Sequence, residues 1–287
     1  MKTLLVLLCL IFLNGASAQD QVRRVKPSKT YELDTRIPEA SGLAGWNGRL
    51  IALNDSGPAQ LFAIDTASGK TIQVYNLPLQ IRDWEELAQD SLYFYIGDIG
   101  NNAGRRDTVE IVRVEKRSLE LQRPKTETIR FAWPQTETRG KRSKTNFDCE
   151  AMTVAGDSIF LFTKEYKHGR RTRLFSLPKH PGTYEARYKS TLKTRILITG
   201  ASFDEKQQKL VLCGYNLWLR PFLLVFTNVT DYNFFSGKPV KIKIRKRFRQ
   251  VEGIATFDGK VYYIANERFE YSLIKSDGEL HVVKLKE

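Results

Sequence analysis

Apolar and polar residues alternate with a period of two through most of the chain, in short runs set off by Gly, Asn, Asp, Pro and Ser. Such runs are half-buried β-strands, with one side chain facing the core and the next facing water. Arg49 to Leu53, Gln60 to Asp65 and Lys70 to Leu77 form one set of three, and Ser91 to Ile96, Val109 to Val114 and Thr126 to Trp133 a second. Ser158 to Thr163, Thr172 to Leu177 and Tyr184 to Leu192 make a third, and Lys209 to Gly214, Pro221 to Thr227 and Val240 to Lys246 a fourth. Lys260 to Ala265, Tyr271 to Ser276 and Glu279 to Leu285 make the fifth. No helical period competes over a comparable length, so the predicted class is all-β.

One further strand introduces each set, and these introductory strands are alike. Polar residues precede a small or apolar triplet in Glu39-Ala40-Ser41-Gly42-Leu43-Ala44, Asp83-Trp84-Glu85-Glu86-Leu87-Ala88, Asp148-Cys149-Glu150-Ala151-Met152-Thr153 and Gln250-Val251-Glu252-Gly253-Ile254-Ala255, with a weaker copy in Ile198-Thr199-Gly200-Ala201-Ser202. The aligned positions 41, 85, 150, 199 and 252 step by 44, 65, 49 and 53 residues, which is the span of a four-stranded propeller blade. Five units predict a five-bladed β-propeller. Lys29 to Ile37 is an extended segment placed either to complete the last blade or to contribute to a sixth.

Met1-Lys2-Thr3, the apolar run Leu4 to Leu13 and the small residues Asn14 to Ala18 read as an export signal over residues 1–18, cleaved near Ala18. Residues 19–287 then form a single domain, periplasmic or secreted. No later segment approaches about 20 uninterrupted apolar residues, so no membrane span is expected. Hydrophobic residues at 41% and charged residues at 27% exclude a disordered chain. Cleavage leaves Cys149 and Cys213, for which a disulfide and two buried thiols are both open readings. The net charge of +14 is concentrated in Arg105-Arg106, Arg139 to Lys144, Lys167 to Arg173 and Lys241 to Arg249. In Lys241-Ile242-Lys243-Ile244-Arg245 the apolar residues face in, so the clusters read as solvated outer faces rather than a polyanion-binding surface, and nucleic acid is not an expected partner.

The second strand of each set also ends in polar residues: Asn54-Asp55-Ser56-Gly57, Gly97-Asp98-Ile99-Gly100-Asn101-Asn102, Lys164-Glu165, Tyr215-Asn216 and Asn266-Glu267-Arg268. Ser41 to Asn54 and Glu85 to Asp98 are 13 residues apart, Glu150 to Lys164 and Glu252 to Asn266 are 14. In an antiparallel hairpin of that length both groups lie at one edge of the sheet. With the first strand of every blade lining the axis, they converge at one mouth of the channel. That mouth collects Glu39, Asp83, Glu85, Asp148, Glu150 and Glu252, with Asp55, Asp98, Asn102, Glu165, Asn266 and Glu267 close by. Confined carboxylates repel one another and need a cation. Calcium suits the carboxylate and amide oxygens; zinc does not, since His168, His180 and His281 lie outside the repeat and no Cys/His pair has ligand spacing. The competing expectation is that the carboxylates cap turns and pair with Lys164, Arg82 and Arg268 as structural ion pairs.

These motifs together, from Glu39-Ala40-Ser41-Gly42-Leu43 through Asp83-Trp84-Glu85-Glu86-Leu87-Ala88 and Asp148-Cys149-Glu150-Ala151-Met152 to Thr199-Gly200-Ala201, resemble a large, poorly characterised group of exported bacterial β-propeller proteins. They are similar, more loosely, to phytase-like and esterase-like propellers. The resemblance spans roughly residues 35 to 270 and implies the propeller fold. By the phytase-like resemblance, Asp83, Glu85, Asp148, Glu150 and Glu252 are calcium ligands, and Arg82, Lys164 and Arg268 neutralise a bound anion. Ser41 and Thr199 depart from the acidic pattern and leave the ring open on one side.

Two functions follow as expectations. One is a binding module whose acidic, calcium-binding rim recognises a small anionic ligand, a peptide or a glycan, with Asn54 and Asn266 as further ligand-binding candidates and Asp98 as a further metal ligand. The alternative is a calcium-dependent hydrolase of phosphate or other esters, for which no catalytic residue is assigned. No G-x-S-x-G elbow is present, and Ser56 reads as a turn residue. Trp46, Trp84, Tyr166, Tyr215 and Trp218 stand near the rim, Trp84 as interblade packing.

Overall fold

The period-two pattern resolves into five sheets arranged in a ring. In the computed structural model, residues 22–134, 147–166, 171–271 and 274–285 are described; the leader 1–18, the basic run Arg139 to Lys144 and His168 lie outside them. Blade I consists of Ala40–Trp46, Arg49–Asn54, Gln60–Asp65 and Thr71–Asn76 in sequential antiparallel order. Blade II starts with Trp84–Gln89, Tyr93–Asp98, Thr108–Glu115 and Thr126–Ala132. Blade III comprises Cys149–Ala155, Ser158–Thr163, Arg171–Pro178 and Arg187–Lys193, and blade IV Leu197–Asp204, Lys209–Tyr215, Pro221–Phe226 and Val240–Ile244. Each innermost strand packs against the innermost strands of both neighbours, and that of blade V packs against that of blade I, closing the ring.

The closure settles the blade count at five. Blade V is built from Val251–Thr256, Val261–Asn266 and Glu279–Lys284, and its outermost strand is the N-terminal Lys29–Glu32, antiparallel to Glu279–Lys284. Joining the two ends of the chain in one sheet ties the ring shut, since neither edge can open without breaking that ladder. The predicted strand Tyr271 to Ser276 is not part of the blade. Phe269–Tyr271 and Ile274–Ser276 form a separate two-stranded hairpin between its second and third strands. A second difference concerns Tyr184 to Leu192, which is split in two. Gly182–Glu185 adds a fifth strand to blade II, parallel to Thr126–Ala132, before Arg187–Lys193 completes blade III. Buried Ala186 is the crossing point and donates its N–H to Ala132 O (2.9 Å). Arg23–Val25 likewise adds a parallel fifth strand to blade IV.

Five hydrophobic seams, one between each pair of adjacent blades, hold the ring together. The seam between blades II and III is aromatic, with Trp133 stacked on Phe147 (5.2 Å) and edge-on to Phe175 (4.9 Å). Trp84 is fully buried in the seam between blades I and II, and Trp46 packs edge-on to Phe94 (5.4 Å) beside it. Cys149 and Cys213 are buried free thiols.

Candidate functional site: a carboxylate cluster built on five bulges

The repeat found in the sequence is a backbone device. The pairing between first and second strand skips one residue in every blade, between Ala40 and Gly42, Trp84 and Glu86, Cys149 and Ala151, Ile198 and Gly200, and Val251 and Gly253. The skipped residues are Ser41, Glu85, Glu150, Thr199 and Glu252, the five aligned positions. A β-bulge bends its strand and re-aims the extra side chain, and here all five are buried at the mouth end of the innermost strands. Backbone bonds from Asp55 N to Glu39 O (3.2 Å), Gly100 N to Asp83 O (3.2 Å), Lys164 N to Asp148 O (2.8 Å) and Glu267 N to Gln250 O (3.1 Å) close the hairpins just outside the bulges.

Glycine follows the bulge where blades approach most closely. A Cβ on Gly42 would stand 2.5 Å from Leu87 N, and one on Gly200 2.4 Å from Glu252 O. In blade II that position is Glu86, whose side chain turns into the axis. Its Oε1 accepts Leu87 N–H (3.0 Å) and its Oε2 accepts Ala201 N–H (2.9 Å). Burial pushes this carboxyl well above the ordinary range, while backbone hydrogen bonds from Ala201, Leu87, Met152 and Leu43 pull against it. Those four donors occupy the same position in blades I to IV, two residues beyond each bulge. Glu86 therefore plugs the channel. Beyond it lies a cavity of about 410 Å³ lined by the rest of the innermost strands, including Ala44, Ala88, Thr153 and Ala255.

On the mouth side, Glu85, Asp148 and Glu150 bring carboxylate oxygens within 4.8 Å of one another, all three residues buried. Asp83 joins them by a side-chain hydrogen bond to Glu85. Gly100 makes the room: a Cβ there would fall 2.3 Å from Asp83 Oδ2 and 2.4 Å from Glu85 Oε1. Asp148 Oδ1 accepts Asn101 N–H (3.1 Å), whereas fully buried Asp148 Oδ2 meets no N–H donor among the described residues, and its side-chain neighbour is the Glu150 carboxyl. The buried Lys164 ammonium pairs with Glu150, donating to Oε1 (2.5 Å) and meeting Oε2. It lies 5.5 Å from the Tyr215 ring centroid and 5.6 Å from that of Tyr166. Burial opposes the charge on Lys164, but Glu150 foremost, then Tyr215 and Glu252, hold its pKa well above normal. Glu85 is driven well up by burial and then by Glu150, Asp148 and Asp83, and Glu252 well up by burial and then by Glu267. One buried cation faces more carboxylates than it can neutralise.

The other predicted site residues divide between the rim and the scaffold. Asp98 is tied to Arg106 (Oδ1 to Nη2 2.5 Å), which also donates to Gly100 O (2.9 Å). Glu165 turns away to Arg171 (2.6 Å) and Arg173 (2.5 Å). Asn54 pins the loop before blade I, accepting from Glu39 N (3.3 Å) and donating to Arg36 O (2.8 Å). Asn266 binds His281 Nε2 (2.8 Å) and Asp277 O (2.9 Å). Arg82 and Arg268 are exposed and make no ion pair among the described residues. Glu39 and Asp55 hydrogen-bond each other, and burial, then Glu39, pushes Asp55 up to about 8. The two hydroxyl copies bring no carboxylate to the ring and turn to the backbone of the next blade. Ser41 Oγ donates to Trp84 O (2.7 Å) and Thr199 Oγ1 to Val251 O (2.5 Å), each stapling its blade to the next. Glu86 is absent from the predicted set. Its signal was present as the one acidic residue at a position otherwise held by Gly42, Ala151, Gly200 and Gly253.

The fold has solved relatives. A "putative oxidoreductase (glucose dehydrogenase)" of Thermus thermophilus is similar with a TM-score of 0.52 at 10% identity, over 89% of this chain and 99% of that one. At that identity the likeness extends to the fold alone. A chain of a mitotic checkpoint complex structure overlaps 85% of this chain at a TM-score of 0.40 and 14% identity, and this chain spans 61% of its length. No family model matches the sequence, and no curated protein matches it.

Proposed function

We propose that the protein is an exported β-propeller binding module whose acidic mouth holds a calcium ion, with the ligand completing the ion's coordination. The observation that carries the reading is Asp148 Oδ2, a fully buried carboxylate oxygen that meets no N–H donor among the described residues and faces only the carboxyls of Glu85 and Glu150. Leaving such an atom unpaired costs stability, and an oxygen-only donor set suits a hard cation of flexible coordination. Lys164 serves Glu150 as a fixed counter-ion. Asp148 and Glu85 then face the calcium most directly, Asp83 supports Glu85, and Glu252 stands with Glu267 beyond Lys164. Tyr166, 44% exposed beside Lys164, offers a ring against which a glycan or peptide packs while one of its oxygens, or that of a small anionic ligand, reaches the ion.

A second reading, hydrolysis of a phosphate or other ester, draws support from Asp55. Half-buried and with a pKa pushed up to about 8, it is suited to exchanging a proton with water at neutral pH.

Thermal unfolding in EDTA and then in excess Ca²⁺ tests the binding reading. At a hundredfold excess over Kd the folded state gains about 2.7 kcal/mol, a rise in Tm of roughly 5–10 °C for a domain of this size. Replacing Glu85 and Glu150 together by Gln abolishes the rise. An unchanged Tm in Ca²⁺, with no ion retained by the protein, makes the cluster structural. Turnover of a phosphoester screen that disappears in Asp55→Asn selects the hydrolase instead.

A further inference from the structure

A different part of the mouth face carries a second surface. The loop from Asn216 to Arg220, between the second and third strands of blade IV, ends in Leu217 and Trp218, 64% and 77% exposed, and Trp218 is the most exposed of the large apolar residues described. The tip is held rigidly outward. Asn216 Oδ1 accepts both Trp218 N–H (3.0 Å) and Arg220 N–H (3.0 Å), and Leu219 N–H bonds back to Asn216 O (2.9 Å). Arg249 N–H anchors it to the neighbouring segment through Leu219 O (2.9 Å). That segment presents Phe248, 41% exposed. Leu219 and Phe248 both adopt left-handed φ, at 50° and 55°, where bulky residues are strained. The backbone is thus constrained in a form that displays apolar side chains to water.

Cations gather beside this tip, about Lys243. Lys243 stands opposite Arg24 in the parallel pair of strands, and burial, followed by the charges of Arg220, Arg24 and Arg247, lowers its pKa. Lys246 and Arg249 turn to Glu279 (3.4 Å and 2.6 Å). By contrast Arg24, Arg220, Lys243 and Arg247 have no carboxylate within 4.0 Å among the described residues. Beyond a solvated strand face, the basic run gathers four cations with no carboxylate within 4.0 Å among the described residues, Arg220 in the loop of Leu217 and Trp218 and Arg247 next to Phe248. Tyr215, one residue before the loop, contacts Lys164, so the patch stands beside the acidic mouth.

We propose that Leu217, Trp218 and Phe248, ringed by Arg24, Arg220, Lys243 and Arg247, dock the protein on an anionic lipid bilayer. Aromatic rings settle at the headgroup level and cations meet lipid phosphates. A polyanion such as nucleic acid would satisfy the cations but offers no hydrocarbon to Leu217, and a neutral apolar partner would leave the cations uncompensated. An anionic bilayer supplies both phases. The contact proposed is a surface one, made by side chains of loop tips, and reversible; among the described residues no helix is long and apolar enough to cross a membrane.

Co-sedimentation with phosphatidylcholine vesicles, with and without phosphatidylglycerol, tests this. The protein is expected to sediment with the anionic vesicles alone, to be released by salt, and to blue-shift its tryptophan emission on binding, a shift lost in Trp218→Phe. Leu217→Ser with Trp218→Ser is expected to weaken binding about tenfold or more. Arg24→Ala with Arg247→Ala should weaken it about 25-fold, roughly fivefold per charge. All four side chains are exposed, so a Tm equal to that of the parent confirms that each variant folds. Failure to sediment with anionic vesicles overturns the proposal, as does unchanged binding by the Leu217/Trp218 variant. Salt-sensitive binding to heparin or an oligonucleotide without vesicle binding replaces it with a polyanion site.

Discussion

Blades II, III and V carry an acidic residue where blades I and IV carry a hydroxyl, yet all five use the same bulge there. In the first group the bulged residue is Glu85, Glu150 or Glu252, whose carboxylate meets other charges at the mouth. In the second it is Ser41 or Thr199, whose hydroxyl reaches the carbonyl of the next blade. The backbone is indifferent to the choice; the side chain decides whether the bulge seals a seam or builds a site. A long acidic side chain extends past the interblade seam into the mouth, while a short hydroxyl ends at it. The ring is thus sealed between blades I and II and between IV and V, and charged between II and III.

The largest test of this division lies just outside it, at Glu86, where the seam-sealing and charged roles coincide. Glu86→Ala removes an acceptor shared by the backbone N–H groups of several blades and opens the mouth toward the axial cavity. Leaving its buried N–H partners unpaired costs about 1–3 kcal/mol each, about 3–5 kcal/mol in all, and the variant is expected to unfold at a lower denaturant concentration than the parent, with unchanged m. A loss under about 1 kcal/mol would mean that the blades do not depend on an axial acceptor. Lys164→Met comes next. In EDTA it leaves Glu150 without its counter-ion and is expected to cost about 3 kcal/mol. If calcium occupies the same mouth, the ion makes good part of that loss, and the Ca²⁺-induced rise in Tm is larger in the variant than in the parent. Equal rises would separate the ion from the Lys164 side of the cluster.

The architecture was legible because strand patterning and a repeat are local signals. The aligned positions 41, 85, 150, 199 and 252 turned out to be the bulges themselves. The convergence of Asp83, Glu85, Asp148 and Glu150 was legible too, since hairpin length fixes which residues share an edge. What was not legible was which carboxylates keep their oxygens available. Asp98 and Glu165 look equivalent to Asp148 in the sequence, but Arg106 and Arg173 reach them through loop and strand geometry. The division of Tyr184 to Leu192 between two blades depends on Ala186 fitting a buried crossing point, which no period reports. The strand Tyr271 to Ser276 was misplaced because a peripheral hairpin carries the same alternation as a blade strand, and only the N-terminal Lys29–Glu32 pairing decides which runs complete blade V.

The charged and sealed blades should also differ in pH response. Glu85 has a raised folded-state pKa, chiefly through burial and then through Glu150, Asp148 and Asp83. A carboxyl raised in the folded state contributes stability that is present below its unfolded pKa of about 4.5 and is lost as pH rises toward the folded value. In EDTA the parent is therefore expected to melt lower at pH 8 than at pH 5. Glu85→Gln, which cannot ionise, should flatten this slope by on the order of 1 kcal/mol. An unaltered slope in that variant would place the titration elsewhere in the molecule.

Smallest of all are the effects at the sealed positions. Ser41→Ala and Thr199→Val each remove one buried hydroxyl donor and leave Trp84 O or Val251 O short of a partner. Each loss is expected to be about 1 kcal/mol, or roughly 2–4 °C in Tm. The magnitude matters less than the invariance beside it: the rise in Tm on adding Ca²⁺ should equal that of the parent in both variants, while Glu85→Gln reduces it. If either hydroxyl variant reduces the rise as much as Glu85→Gln does, the five bulges act as one continuous ring around the mouth, and the distinction between sealing and charged blades falls.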